Sequence, residues 1–391
     1  SRDLVIADSI SGRFTNIILS GSLFGVIVQQ DDSISLLGQF VNDPSFTPQV
    51  QRSIAYVNSL LVSGTASDAF LSAAPELDET GFAQLTPEAY ASAGQIVVEH
   101  GLELADIGRG AAFATDRDTP GAFTFAGALG NTRTLNNSVQ GTARTRIEGF
   151  GLLAGIGWGS SEWSIGGFLG YLNSWQTLSS LGARSEVDSI VAGVHGRWTN
   201  GPLSIKATIA YDGGNADTRR DLPAGAARAD YGLSGWTGDL SLDYAMPVGS
   251  GWTARPGLGI TIIGLSRDFV SETGGSVYAL EVTRERDHAI FVDGALAFRG
   301  GMQEGSIVRP HVSVGVRYQV DGRNPFATAA MDGGGFGMVA AGARRAPLLG
   351  TAALGADIFL SSNLVMFGAA NAQAGNADRR AGVQAGLRLA F

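Results

Sequence analysis

The chain has 391 residues, 44% hydrophobic and only 16% charged, with a formal net charge of -9, 56 glycines and no cysteine. The lack of cysteine excludes disulfides, thiolate metal sites and cysteine nucleophiles. The arginines are scattered and Lys206 is the only lysine, so no basic cluster of a nucleic-acid-binding protein is present.

No apolar run reaches the roughly eighteen residues that a membrane helix needs. Val312 to Val320 is typical, broken at every second residue. No export leader is visible at Ser1, so an exported protein is expected to be longer than this chain. In residues 1–46 the apolar runs are Leu4 and Ile6, Phe14 to Leu19, Leu23 to Val28 and Ile34 to Leu37. Ser11-Gly12 and Asp31-Asp32 separate them, so they read as short stacked β-helix-like rungs.

Residues 47–85 read as a helical linker. Val50, Ile54, Val57, Leu60 and Leu61 recur at helical spacing, and a second stretch covers Ser67 to Leu77. A third helix belongs to residues 86–112. Thr86 is placed to cap it, Pro87 suits its first position and Glu88 faces its positive end. Read from Thr86 to Arg109 it is about 36 Å long, enough to cross a hydrocarbon layer of roughly 30 Å. Yet Glu99, His100, Glu103, Asp106 and Arg109 could not face lipid. Gly94, Gly101 and Gly108 recur every seventh residue and leave one thin side. A thin, polar helix of membrane length fits a water-filled pore; taken alone it could also be a soluble connector.

Residues 113–391 read as the barrel domain, and from Phe123 to Phe391 the period is two. Twelve alternating runs fall at about 121–131, 146–158, 162–175, 186–199, 203–213, 234–247, 252–265, 286–300, 307–321, 349–360, 363–374 and 380–391. Each approaches or exceeds the roughly nine to eleven residues of a tilted transmembrane strand. Leu203, Ile205, Ala207, Ile209 and Tyr211 oppose Ser204, Lys206, Thr208, Ala210 and Asp212. A soluble sandwich also alternates, but three further features favour lipid. Trp158, Trp163, Trp175, Trp198, Tyr211, Trp236 and Trp252 sit at the ends of apolar faces, where aromatic girdles lie. The opposite face carries glycine and both signs of charge. Tight turns at 159–161, 199–202, 248–251, 301–306 and 361–362 alternate with long connections at 132–145, 176–185, 214–233, 266–285 and 322–348, and only the last, 374–379, is short. Outer-membrane barrels have short periplasmic turns and longer external loops. With an even number of strands, both ends of the barrel lie in the periplasm, and the helix, filling the lumen, emerges outside.

The fold expected is therefore an all-β transmembrane barrel: a 12-stranded antiparallel up-and-down β-barrel with an α-helix through its lumen, preceded by a short helical linker and β-helix-like rungs. Its lumen wall is expected to carry Lys206, Asp239, Asp243, Arg255, Asp293, Arg299, Arg309, His311, Arg317 and Arg388, with His195 also inward. These can bridge one another, or dock the helix through Glu99, Glu103, Asp106 and Arg109; docking predicts that alanine at Arg309 and Arg317 raises conductance. No Ser-His-Asp motif, phosphate-binding loop or metal-ligand spacing is visible, and no cofactor is expected. Gly149, Gly151, Gly155 and Gly157 lie in a strand with apolar partners, not in a nucleotide loop.

Val383, Ala385, Leu387, Leu389 and Phe391 alternate up to the terminal residue. That ending resembles the signal by which the barrel assembly machinery recognises outer-membrane proteins. Leu85 to Ala93 resembles the entry to the pore helix of classical monomeric autotransporters, and Gly238 to Tyr244, Arg309 to Tyr318 and Gly382 to Phe391 resemble their strands. The resemblance runs from about residue 47 to the end; residues 1–46 resemble the end of a passenger stem. It implies a translocator that exports and anchors an N-terminal passenger without ATP. It also implies outer-membrane lipid and lipopolysaccharide, the assembly machinery, periplasmic chaperones and the passenger as partners of a monomer. Some relatives cleave the linker inside the pore at an asparagine pair; here the helix has no asparagine and Asn136-Asn137 lies in an expected external loop, so no such cleavage is expected. The alternatives are a diffusion pore, a barrel hydrolase and a soluble adhesin. The first requires an open lumen, the second a nucleophile–base pair, and the third release by carbonate.

Overall fold

A computed structural model describes residues 2–11, 18–20, 23–29, 32–110, 112–113, 118–136, 141–249, 251–301 and 306–391. The first strands are β1 (Arg2–Ile6), β2 (Ile18–Ser20), β3 (Leu23–Gln29) and β4 (Ser33–Phe40). They form a sheet in the order β1-β4-β3-β2 in which every pairing is antiparallel. This corrects the expectation of β-helix-like rungs. Rungs stack in parallel through long crossovers, whereas the short links here allow hairpins. The expected run at 14–17 lies outside the described residues.

Four helices follow: α1 (Pro48–Ser63), α2 (Asp68–Ala73), α3 (Glu79–Gln84) and α4 (Glu88–Arg109). Thr47, Ser67 and Asp78 cap the first three through side-chain oxygens. The fourth differs from expectation. Pro87 is its N-cap and no side chain caps it, so Thr86 does not serve. Thr86 is buried instead, with its carbonyl turned to Arg220.

The period-two region forms the wall. Its long strands are β5 (Gly121–Leu135), β6 (Thr145–Gly159), β7 (Trp163–Leu178), β8 (Ala183–Asn200), β9 (Leu203–Leu222) and β10 (Gly225–Tyr244). After the short β11 (Met246–Gly249) comes β12 (Trp252–Arg267). The pieces β13 (Val270–Ser271), β14 (Thr273–Gly274) and β15 (Leu280–Val282) precede β16 (Glu285–Arg299) and β17 (Val308–Asp321). Then β18 (Phe326–Met331) and β19 (Met338–Ala341) precede β20 (Leu348–Phe359), β21 (Leu364–Gly375) and β22 (Asp378–Ala390). Twelve of these pair antiparallel in sequence order, β10 with β12 among them, and β5 closes the ring with β22, from Phe123↔Ala390 to Leu135↔Asp378. No edge is left open, which is what a sheet in lipid requires.

Along the middle of the strands the outer face is apolar and exposed, with Ile156, Leu169, Val194, Ile209 and Leu258 among its residues. Trp158, Trp163 and Trp198 flank it towards the short turns, and Tyr171, Tyr211 and Trp236 towards the other end. No helix among the described residues is long and apolar enough to cross a membrane.

The long connections are less loop-like than their sequences suggest. Instead of a loop at 214–233, β9 and β10 continue to a two-residue link at 223–224, paired from Leu203↔Tyr244 to Leu222↔Gly225. Only 179–182 separates β7 from β8. The 322–348 and 266–285 connections contribute a small sheet, β13-β15-β18-β19. Over that end of the barrel, α1, α2, α3 and the first half of α4 close a core that includes Phe40, Val57, Phe70, Phe82, Tyr231 and Tyr278.

Candidate functional site: the helix-filled lumen

The helix α4 runs along the inside of the barrel, with 20 of its 22 residues buried. Its glycine side is where the wall comes closest. A Cβ at Gly108 would lie 2.1 Å from the Thr208 hydroxyl, and one at Gly101 would lie 2.7 Å from Ile263 Cδ1, whereas at Gly94 the nearest atom is 3.3 Å away.

Its polar side is held by charge. At the first turn Glu88 accepts hydrogen bonds from the Ala143 amide at 2.6 Å and from Gln49 of α1 at 3.0 Å. Three turns on, Glu99 receives Arg133 of β5 at 2.6 Å, Arg380 of β22 at 2.8 Å, and Arg345 from the link between β19 and β20. Arg133 also pairs with Asp378 at 2.7 Å. Glu103 accepts from Arg380 at 2.7 Å and from Asn131 at 2.8 Å. Asp106 pairs with Arg317 at 2.9 Å. Arg109 reaches Asp239 at 2.5 Å and Asp293 at 3.0 Å. Lys206 donates to the Arg109 carbonyl at 2.9 Å, placing a cation at the negative end of the helix.

The remaining wall residues serve one another. Arg255 and Lys206 both pair with Asp243, Arg317 pairs with Asp293, and Arg299 pairs with Asp357. Arg309 lies over the Phe359 ring at 4.3 Å, and the His311 ring lies over Gly355. His195 bonds to Thr208 and stacks on Phe113, and Arg388 is buried on the inner face of β22. Sequence reasoning missed Arg133, Arg345 and Arg380. The first two lie in stretches expected to be loops; Arg380 opens the last strand in phase with Arg388.

One constellation has the bond order of a catalytic triad. His100 is bonded through Nε2 to Ser174 Oγ at 2.8 Å and through Nδ1 to Asp212 at 2.7 Å. It was invisible in the sequence because the three residues come from α4, β7 and β9. All three are buried, and a Cβ at Gly149 would lie 2.5 Å from the Ser174 oxygen. The two bonds tie His100 of α4 to β7 and β9 and so fix the rotation of the helix. Among the described residues no group of acidic or histidine side chains could hold a metal ion.

Residues 124–371 match the family described as Autotransporter beta-domain. The translocator domain of the autotransporter NalP from Neisseria meningitidis has 14% identity, covering 78% of this chain and 96% of that one, at a TM-score of 0.60. The transport unit of the autotransporter AIDA-I from Escherichia coli has 17% identity, covering 78% and 99%, at 0.56. The β domain of the Bordetella autotransporter BrkA has 16% identity, covering 70% and 100%, at 0.51. At these identities the likeness speaks to the fold. No curated protein matches the chain.

Proposed function

Because the chain belongs to the autotransporter β-domain family, we propose that it exports a passenger joined to its N-terminus and anchors it to the cell surface. The barrel lies in the outer membrane, as its family and fold imply. The observation that carries the proposal is the path of α4. Arg109 is held by Lys206, near the short turns, and Glu88 by Ala143, in the connection between β5 and β6. With the short turns in the periplasm, the chain before Glu88 leaves on the outside. Residues 1–46 are then the end of the passenger, 47–85 a linker that caps the pore, 86–112 the pore helix and 113–391 the translocator.

The lumen charges hold the helix after export, and the domain's work is transport rather than catalysis. Val383, Ala385, Leu387 and Leu389 lie on the lipid face of β22, and Phe391 beyond it donates its amide to Ala122. This face suits recognition by the assembly machinery before β22 pairs with β5. Periplasmic chaperones, outer-membrane lipid and the passenger are the other partners proposed for a monomer. No cleavage in the helix is proposed, because α4 has no asparagine; Asn137 lies outside the described residues.

The test is surface exposure. A tag placed before Ser1 should be removed by protease added to intact cells, leaving a barrel-sized fragment in the membrane. A tag lost only after lysis would put the N-terminus in the periplasm and end the proposal.

A further inference from the structure

Beyond the aromatic side chains, towards the end of the long connections, the outer face of the barrel changes from apolar to ordered charge. Strand register places Glu148 of β6 beside Trp175, Trp175 beside Glu186, Glu186 beside Asp217 and Asp217 beside Asp230. Two residues further along each strand, register places Arg146 beside Thr177, then Arg184, Arg219 and Arg228. Five adjacent strands thus carry a row of four carboxylates followed by a row of four guanidiniums, all pointing away from the lumen.

Like charges directly opposite one another across strands destabilise a sheet. Here Glu186, Asp217 and Asp230 are consecutive neighbours, and so are Arg184, Arg219 and Arg228. Pairing along a strand could compensate, but among these four couples only Arg146 and Glu148 close an ion pair, at 2.6 Å. Arg219 turns instead to Asp221 at 3.1 Å. Just below the rows lies an open groove of about 570 Å³ lined by Tyr171, Asp188, Ile190, Tyr211, Gly232 and Asp268, whose carboxylate lies over Gly232. It is continuous with the apolar face formed by Ile156, Leu169, Val194 and Ile209.

We propose that this face of β6 to β10 is a docking surface for a phosphorylated glycolipid of the outer leaflet, lipopolysaccharide, held with divalent cations. Its acyl chains lie on the apolar face and its sugars enter the groove. Its phosphates meet the guanidiniums, which bind such groups with two parallel hydrogen bonds. Divalent cations bridge further phosphates to the carboxylate row, whose oxygens are suitable ligands for magnesium or calcium. Both rows of like charge are then neutralised by one ligand. The proposal rests on the orientation given above, with the long connections outside.

The test is a titration of purified lipopolysaccharide against the refolded full chain in detergent with magnesium. One variant carries Arg184→Glu, Arg219→Glu and Arg228→Glu. A second carries Glu186→Gln, Asp217→Asn and Asp230→Asn, a neutral set that keeps a folded barrel available if the first does not assemble. Arg286→Glu, an exposed residue of β16, is the control for charge alone. The first variant should bind about tenfold more weakly or worse, as expected for lost charge pairs. The second should lose the weakening that chelating the magnesium causes in the unaltered chain. Dephosphorylated lipopolysaccharide and phosphatidylglycerol should bind the unaltered chain weakly. Unchanged affinity in both triple variants, an equal loss in the control, or equal binding of the dephosphorylated lipid or phosphatidylglycerol would overturn the proposal. The surface-tag assay on unaltered cells separates this failure from a wrong orientation, which would leave the tag protected.

Discussion

Glu99 of α4 and Arg133 of β5 are 2.6 Å apart, and a second nitrogen of Arg133 is 2.7 Å from Asp378 of β22. One arginine therefore joins the helix to both strands of the seam that closes the barrel. Arg380 of β22 also reaches Glu99, at 2.8 Å. Glu99 finds its partners only where β5 and β22 have met, so seating of the helix and closure of the wall share residues.

Replacing Glu99 with Gln leaves Arg133, Arg345 and Arg380 converging on a neutral amide. Removing one partner from a buried charge cluster costs about 3–5 kcal/mol. The variant should unfold at lower temperature in a heat-modifiability gel and show more frequent channel openings in planar bilayers. An unchanged midpoint with unchanged conductance would mean that the cluster does not hold the helix.

Arg309 and Arg317, equivalent in the sequence, separate in the structure. Arg317 binds Asp106 of the helix and Asp293 of the wall, whereas Arg309 lies over Phe359. Arg317→Ala should raise conductance, and Arg309→Ala should change it far less. Equal effects in the same bilayer recording would contradict this division.

Glu272 clasps the outer cap. It accepts both Arg220 nitrogens, at 2.6 and 2.7 Å, and the Tyr90 hydroxyl at 2.5 Å, tying the connection between β12 and β16 to β9 and α4. Burial by itself would raise its pKa, but the Arg220 guanidinium outweighs burial and holds the carboxyl below its ordinary pKa of 4.5. A folded value below the unfolded one stabilises fully above the unfolded value, and the gain is lost as pH falls through the folded value. The cap should therefore be tight at neutral pH and loosen below about pH 4.5. Protease cleavage within residues 47–85 should rise in that acid range, and Glu272→Gln should make it high at neutral pH with little further acid dependence.

The twelve strands were legible because lipid enforces alternation. Where the wall leaves the lipid, the pattern reverses phase instead of ending. On β9 the outer positions pass from Ile209 and Tyr211 to Asn215, Asp217 and Arg219, while the inner ones become Ala216 and Leu222 beside buried Thr218 and Arg220. A reversal reads as a loop when one face is assumed to stay apolar, which is why 214–233 was expected to be a connection. Arg380 could have been found from its phase with Arg388, and Arg133 from its phase with Asn131. Arg345 belongs to no alternating run, and only the folded connection brings it to Glu99. The triad-like bonds of His100 were hidden for the same reason, since register between distant strands sets them.

The three helix glycines offer a graded test of how tightly α4 is fitted. At Gly94 an added methyl group meets only Leu265 side-chain atoms at 3.3 and 3.6 Å, which a small rotation relieves. At Gly101 it meets the Thr237 hydroxyl at 2.6 Å and Ile263 at 2.7 and 2.8 Å, and at Gly108 it meets the Thr208 hydroxyl at 2.1 Å with His195 at 3.3 Å. Overpacking of this kind costs about 1–3 kcal/mol, against which alanine's better helix propensity returns up to about 1 kcal/mol. Gly94→Ala should thus be neutral or stabilising, while Gly101→Ala and Gly108→Ala should lower the unfolding midpoint. Equal midpoints for all three would mean that the helix can shift freely away from the wall, contrary to the charge contacts that fix its opposite side.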